Sequence, residues 1–251
     1  TGIIGDPSGR SEERQLQSLE TIAENAKKLE NQLRNIFRGD ENIEFVNNGD
    51  WLGKMSMIEF LRDYGKLINV NYMLAKDSVS SRLENGLSFT EFSYTLLQGI
   101  DYAYLNEHHG VKMQLGGSDQ WGNLLSGVDL IRKKENTEVY AMTAPLLINK
   151  STGRKFGKSE GNAIWLASQD NGSGNYTSIF DFYQFWLNQS DQAVESLIKI
   201  YTVLSNDEIN QILAEHQAHP ELRIAQKALA RGATEVVHGK SSTAAVITLT
   251  E

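Results

Sequence analysis

Lys150-Ser151-Thr152-Gly153-Arg154-Lys155-Phe156-Gly157-Lys158-Ser159-Glu160-Gly161-Asn162 divides two different patterns in this chain of 251 residues. Before it, strand-turn-helix units suggest a parallel-sheet domain, and after it the apolar spacing is helical almost throughout. The segment reads as a mobile cationic loop at the junction, spanning about residues 149–170. Lys155 and Lys158 are compact charges on flexible stems, suited to holding phosphate, and Gly157 lets the backbone follow a ligand. Taken alone, a K-x-x-K-S run is most often a solvated turn, so its meaning depends on what converges on it.

Immediately upstream, Val111 to Leu115 reads as a strand, followed by Gly116-Gly117-Ser118-Asp119-Gln120-Trp121-Gly122-Asn123 and a helix through Ile131. Paired glycines permit close backbone approach, and Asp119 and Gln120 sit where the end of a parallel strand presents groups to a ribose or a polar substrate. The preceding helix opens with the capping box Ser88-Phe89-Thr90-Glu91 and runs through Leu105. Its apolar residues cover most of its circumference, yet Tyr94, Gln98 and Asp101 share one face at i, i+4 and i+7. Burying a phenol, an amide and a carboxylate there is costly unless each finds a partner, either in an internal network or in a bound polar ligand. His108 and His109 read as surface residues, with no second cluster to complete a metal site.

Further upstream, Ile3 and Ile4 are expected to end a strand, and Gly5-Asp6-Pro7-Ser8-Gly9 forms a turn into a helix, with Arg10 and Arg14 near any anion at its start. Leu16, Leu19, Ile22, Ala23, Ala26, Leu29, Leu33, Ile36 and Phe37 recur at helical spacing and are expected to pack as core. Ile43 to Val46 alternates as a strand, Asn47-Asn48-Gly49-Asp50 turns, and Ser56-Met57-Ile58-Glu59 opens a capped helix ending near Gly65. Val70 to Leu74 is compatible with extended chain or helix. Downstream, Gly172-Ser173-Gly174 is a linker, and helices are expected over Ser178–Leu187, Asp191–Val203, Asp207–Gln217 and Glu221–His238, with a capping box at Ser205. Phe180, Phe182, Phe185 and Trp186 are read as packing.

The composition is 40% hydrophobic and 22% charged, as in globular proteins, and no apolar run approaches a membrane span. With no cysteine, disulfides and thiolate metal sites are excluded, which fits a reducing compartment. A net charge of -8 opposes general polyanion binding and confines any nucleic-acid contact to a local patch.

Four segments together, Gly5 to Gly9, Phe92-Ser93-Tyr94 with Gln98 and Asp101, Gly116 to Asn123, and Lys155 to Ser159, resemble bacterial-type tyrosyl-tRNA synthetase, a class I family, over nearly the whole chain. The resemblance implies an α/β fold, with a Rossmann-type parallel-sheet domain over residues 1–148, the signature loop, and an all-helical domain over 171–251 that helps bind the tRNA anticodon region. The His-x-Gly-His signature of the first strand-helix unit and the C-terminal RNA-binding domain of the family have no counterpart here, so the chain is expected to be a fragment. Position by position, the resemblance implies that Asp6, Tyr94 and Gln98 hold the amino group of tyrosine and Asp101 its phenolic hydroxyl. Gln120 would meet the amino-acid end near its carboxylate, and Gln114 the pocket wall. Asp119, with Gly116 and Gly117, would hold the nucleotide, while Arg10 and Arg14 join Lys155 and Lys158 around the leaving pyrophosphate. ATP with Mg2+ enters as substrate, with no tightly bound cofactor. Expected partners are tyrosine, tRNA(Tyr) and a second copy of the chain, paired through helices within about 52–105, Phe92 among them. The expected location is the cytoplasm, or the mitochondrial matrix if eukaryotic, with no membrane association. Two alternatives stay open: a tryptophan-specific class I relative, and a non-catalytic RNA-binding paralogue.

Overall fold

The structure is a computed structural model and describes residues 2–5, 16–75, 77–80, 86–146, 164–170, 172 and 174–250. Two compact units divide the chain, one of Thr1–Ala26 with Glu44–Leu146 and one of Lys27–Ile43 with Leu147–Glu251. Helix α1 (Leu19–Ile36) runs across that division.

In the first unit, α2 (Gly49–Leu52) and α3 (Met57–Glu59) lead through a π-helical turn at Phe60–Tyr64 to α4 (Val70–Leu74) and α5 (Asp77–Ser80). Then come α6 (Phe89–His109), β1 (Met113–Gly117), α7 (Trp121–Glu135) and β2 (Tyr140–Ala144). Short-range chemistry sets the limits of α6. Ser88 Oγ accepts from the Glu91 N–H at 3.2 Å and Glu91 Oε2 accepts from the Ser88 N–H at 3.3 Å, satisfying two of the donors a helix start leaves unpaired. At the other end Gly110, at φ 66°, provides the left-handed stop. The strands pair in parallel, Met113 opposite Tyr140 through Gly117 opposite Ala144, with α7 as the crossover.

Ile100, Tyr102 and Ala103 of α6 meet Leu130 and Ile131 of α7 in a buried cluster closed by Val139. Tyr102 reaches across to donate its hydroxyl to the Tyr140 carbonyl at 2.8 Å, tying α6 to β2. The close approach requires Gly127, because a Cβ there would stand 2.6 Å from Tyr102 Cδ1. Met113, Leu115, Tyr140 and Met142, which are cross-strand neighbours, are exposed on one face of the sheet.

The second unit contains a helical bundle: α8 (Ile179–Leu187), α9 (Asp191–Tyr201), α10 (Asn206–Ala218), α11 (Ile224–His238) and α12 (Lys240–Thr250). Phe182, Trp186, Val194, Ile198 and Leu229 lie at its centre. Ser205 makes the expected capping box with Glu208, and Phe182, Phe185 and Trp186 pack inside, whereas Phe180 is exposed.

Several sequence expectations change. The apolar stripe of Leu16 to Phe37 is not core: no residue of α1 is buried, because periodicity reports an amphipathic helix without supplying the surface that would cover it. Ile3 and Ile4 lie in a turn. Ile43 to Val46 keeps alternate burial but belongs to no described strand. Val70 to Leu74 is helical, capped by Asn69 Oδ1, which accepts from the Asn71 and Tyr72 N–H groups. An additional helix, α12, forms despite its threonines. Thr243, Thr248 and Thr250 each return their hydroxyl to the carbonyl four residues back, and Val246 buries in the bundle core.

Candidate functional site

Tyr94, Gln98 and Asp101 follow one another along a face of α6, with Tyr94 buried and the other two half-buried. Asp101 is the chemically informative member. Its Oδ1 accepts from Trp51 Nε1 at 3.0 Å and its Oδ2 from Asn48 Nδ2 at 3.3 Å. Trp51 is itself positioned by the Tyr104 ring, stacked at 4.3 Å between centroids and 7° between planes. Burial raises the Asp101 pKa above the ordinary carboxylate value, and the two hydrogen bonds oppose that rise by favouring the charged form. Among the described residues its hydrogen-bond partners are neutral N–H groups. An ionised carboxylate has acceptor capacity beyond two bonds, so an incoming O–H or N–H can join them.

Asn48 and Trp51 carry this geometry, yet as sequence they form only a turn. The available signal was a tryptophan one residue beyond an Asn-Asn-Gly-Asp turn. An indole brings a large apolar body and one N–H donor, and a buried indole N–H needs an acceptor.

At the strand end, Gly116 and Gly117 let the following turn fold back. A Cβ on Gly116 would meet Gln120 Cβ at 3.1 Å, and one on Gly117 would meet Asp119 Oδ1 at 2.8 Å. Asp119 is exposed and Gln120 half-buried, both in the 3-10 turn Ser118–Gln120 that opens α7. Gln114 points a buried Oε1 that has no hydrogen-bond partner among the described residues. An orphaned buried acceptor costs about 1–3 kcal/mol, a cost that a ligand donor removes. The turn and α6 meet directly, since Thr95 beside Tyr94 hydrogen bonds Asn123 three residues past Gln120. Thus Asp101 is brought to Asn48 and Trp51, and the Tyr94 turn of α6 is brought against the strand end. Asp6, Arg10, Arg14, Lys155 and Lys158 lie outside the described residues. Among the described residues, no group of three His, Cys, Asp or Glu side chains is placed to hold a metal ion.

The family model described as tRNA synthetases class I (W and Y) matches residues 1–251. The chain belongs to this class I synthetase family. Its fold is therefore the class I arrangement of a Rossmann-type parallel-sheet domain and a helical domain. Among relatives of this synthetase chain, the tyrosine–tRNA ligase of Levilactobacillus brevis is 50% identical over 244 residues, covering 96% of the chain and 57% of that protein. The tyrosine–tRNA ligase of Staphylococcus epidermidis is 51% identical over 245 residues, covering 96% and 56%. A C-terminally truncated mitochondrial tyrosyl-tRNA synthetase from Aspergillus nidulans superposes with a TM-score of 0.81 at 30% identity, covering 99% of the chain and 72% of that structure. The chain thus spans a little over half the length of the bacterial relatives it matches.

Proposed function

We propose that the protein carrying this chain is a tyrosine–tRNA ligase. The observation that carries this reading is Asp101, a half-buried carboxylate held by two neutral donors on a helix face that also bears Tyr94 and Gln98. A phenolic hydroxyl supplies the donor such a carboxylate accepts, and the matching relatives named above are tyrosine enzymes. Tyr94, Gln98 and Asp6 would hold the ammonium group. Gln120 would face the amino-acid carboxylate and Gln114 the pocket wall, where its orphaned acceptor is satisfied on binding. Asp119, at the glycine-flanked strand end, would take ribose hydroxyls.

In the first step an oxygen of the tyrosine carboxylate attacks the α-phosphorus of magnesium-ATP, the bond to the bridging oxygen breaks, and pyrophosphate leaves. Lys155, Lys158, Arg14 and Arg10 stabilise the charge that develops on it. In the second step a hydroxyl of the terminal tRNA ribose attacks the tyrosyl carbonyl, and AMP leaves. No covalent enzyme intermediate is needed, so the protein's contribution is placement and charge stabilisation. The helical segment contributes to tRNA(Tyr) binding, two copies pair through elements within about 52–105, and the protein works in the cytoplasm or, in a eukaryote, the mitochondrial matrix. Among the described residues no helix is long and apolar enough to cross a membrane.

The test is ATP–pyrophosphate exchange by the intact protein with tyrosine, phenylalanine or tryptophan. Exchange with tyrosine is expected, and Asp101→Ala should erode the preference over phenylalanine, because a substrate without the hydroxyl leaves the half-buried carboxylate one donor short, with only Trp51 and Asn48 to satisfy it. Exchange driven by tryptophan alone overturns the assigned amino acid. No exchange with any of the three overturns the ligase reading in favour of an RNA-binding paralogue.

A further inference from the structure

We propose that Thr95 and Asn123 are positioning residues that set which end of the Gln120 amide faces the reacting centre, an inference that rests on the tyrosine-activating reading above. Both residues are buried, Thr95 on α6 and Asn123 on the first turn of α7. Thr95 Oγ1 lies 2.7 Å from Asn123 Oδ1, and Asn123 Nδ2 lies 3.1 Å from Gln120 Oε1.

In the structure Asn123 turns its Oδ1 to Thr95 and its Nδ2 to Gln120, and that orientation sets the direction of the chain of donors. An amide oxygen only accepts, so Thr95 must spend its single hydroxyl proton on Asn123 Oδ1. That fixes the Asn123 NH2 toward Gln120, and an NH2 only donates, so Gln120 must present Oε1 to it. The Gln120 NH2 therefore occupies the opposite end of its amide. A glutamine amide is nearly symmetric in shape, and its two orientations differ chiefly in where the dipole points. At a centre where a carboxylate attacks a phosphate, the NH2 end attracts the developing negative charge and the oxygen end repels it.

The helices are built to hold this pair. Ser126 Oγ is shared between the carbonyls of Thr95 and Asn123, clamping the two backbones together. Gly99, one turn beyond Thr95, leaves no room for more, since a Cβ there would meet the Ser126 backbone at 3.3 Å. Neither Thr95 nor Asn123 is among the residues to which the sequence assigns contact with substrate, so their effect passes through Gln120.

Two near-isosteric changes test the direction of the chain in the intact protein. Thr95→Val removes the donor that orients Asn123. Asn123→Asp replaces the NH2 by a second oxygen, which favours the reversed Gln120 amide. Single-turnover tyrosyl-adenylate formation at saturating tyrosine should slow by about ten- to a hundredfold in each, on the scale of a lost oxyanion donor, and by more than the tyrosine Kd rises. Thr95→Ser, which keeps the hydroxyl, should restore the rate. Rates within about threefold of the parent in both Thr95→Val and Asn123→Asp overturn the proposal alone and leave the ligase reading standing. Loss of tyrosine binding together with the rate in both variants assigns the pair to fold stability and also overturns it. A parent that does not activate tyrosine removes the ligase reading and this inference with it.

Discussion

Asp101 combines a cost and a use in one side chain. Burial raises its pKa, so the folded protein holds this proton to a higher pH than the unfolded chain does. The group then favours the fold fully below the unfolded aspartate value of about 3.9, and that contribution is lost as pH rises through the raised folded value. An asparagine in its place does not titrate. The stability of Asp101→Asn relative to the parent should therefore shift in favour of the variant as pH rises through that window, whatever the constant offset from an altered bond to Asn48 or Trp51. Urea unfolding at a series of pH values reads the shift, and a change in the opposite direction would remove burial as the dominant influence. Lys155 and Lys158 make a kinetic prediction of the same scale. If they act as charge moves onto pyrophosphate, Lys158→Ala should slow adenylate formation by about two to three orders of magnitude and lower kcat and kcat/KM together. Single-turnover rates within about threefold of the parent for both lysine-to-alanine variants would make the loop a bystander.

Helices α6 and α7 approach closely where Gly127 faces Tyr102, and the sequence did not announce which glycine of α7 permits it. Gly127→Ala places a methyl group 2.6 Å from the ring of a fully buried tyrosine and should cost about 1–3 kcal/mol in urea unfolding. Gly122→Ala on the same helix meets nothing within 4 Å and should leave stability equal or slightly higher, as expected for alanine in a helix. Equal losses at both positions would mean that helix propensity, not contact, governs α7. The same contrast explains what was legible. Capping boxes at Ser56, Ser88 and Ser205 form as read because donor and acceptor lie three residues apart. The strand, glycine turn and helix from β1 into α7 and the polar face of α6 were legible for the same local reason, whereas β2 (Tyr140–Ala144) and its parallel pairing with β1 were not read. Asn48 and Trp51 meet Asp101 across about fifty residues, and no local pattern encodes that pairing. The stripe of α1 was legible as amphipathic but not as exposed, and α12 was hidden by β-branched residues whose hydroxyls bond within the helix itself.

At the scale of the whole molecule, the remaining question is what covers the apolar side chains of the first unit. Met57, Ile58 and Phe89 are 76%, 72% and 75% exposed, although they stand in the two elements opened by the Ser56 and Ser88 capping boxes. Phe92, which the sequence placed at the subunit contact, is only half-buried, so Phe89 is the more exposed apolar ring at the start of α6. A homodimer with two-fold symmetry uses the same patch on both subunits, so one substitution enters the interface twice. Phe89→Glu is a clean probe because it lies in the first helical turn, where a negative charge favours the helix and leaves its capping box intact. Any loss of association then reflects the interface. Sedimentation of the intact protein at micromolar concentration should give a dimer for the parent and a monomer for Phe89→Glu, with far-UV circular dichroism unchanged. A monomeric parent would remove the symmetric contact, and a dimeric Phe89→Glu would move it to another surface.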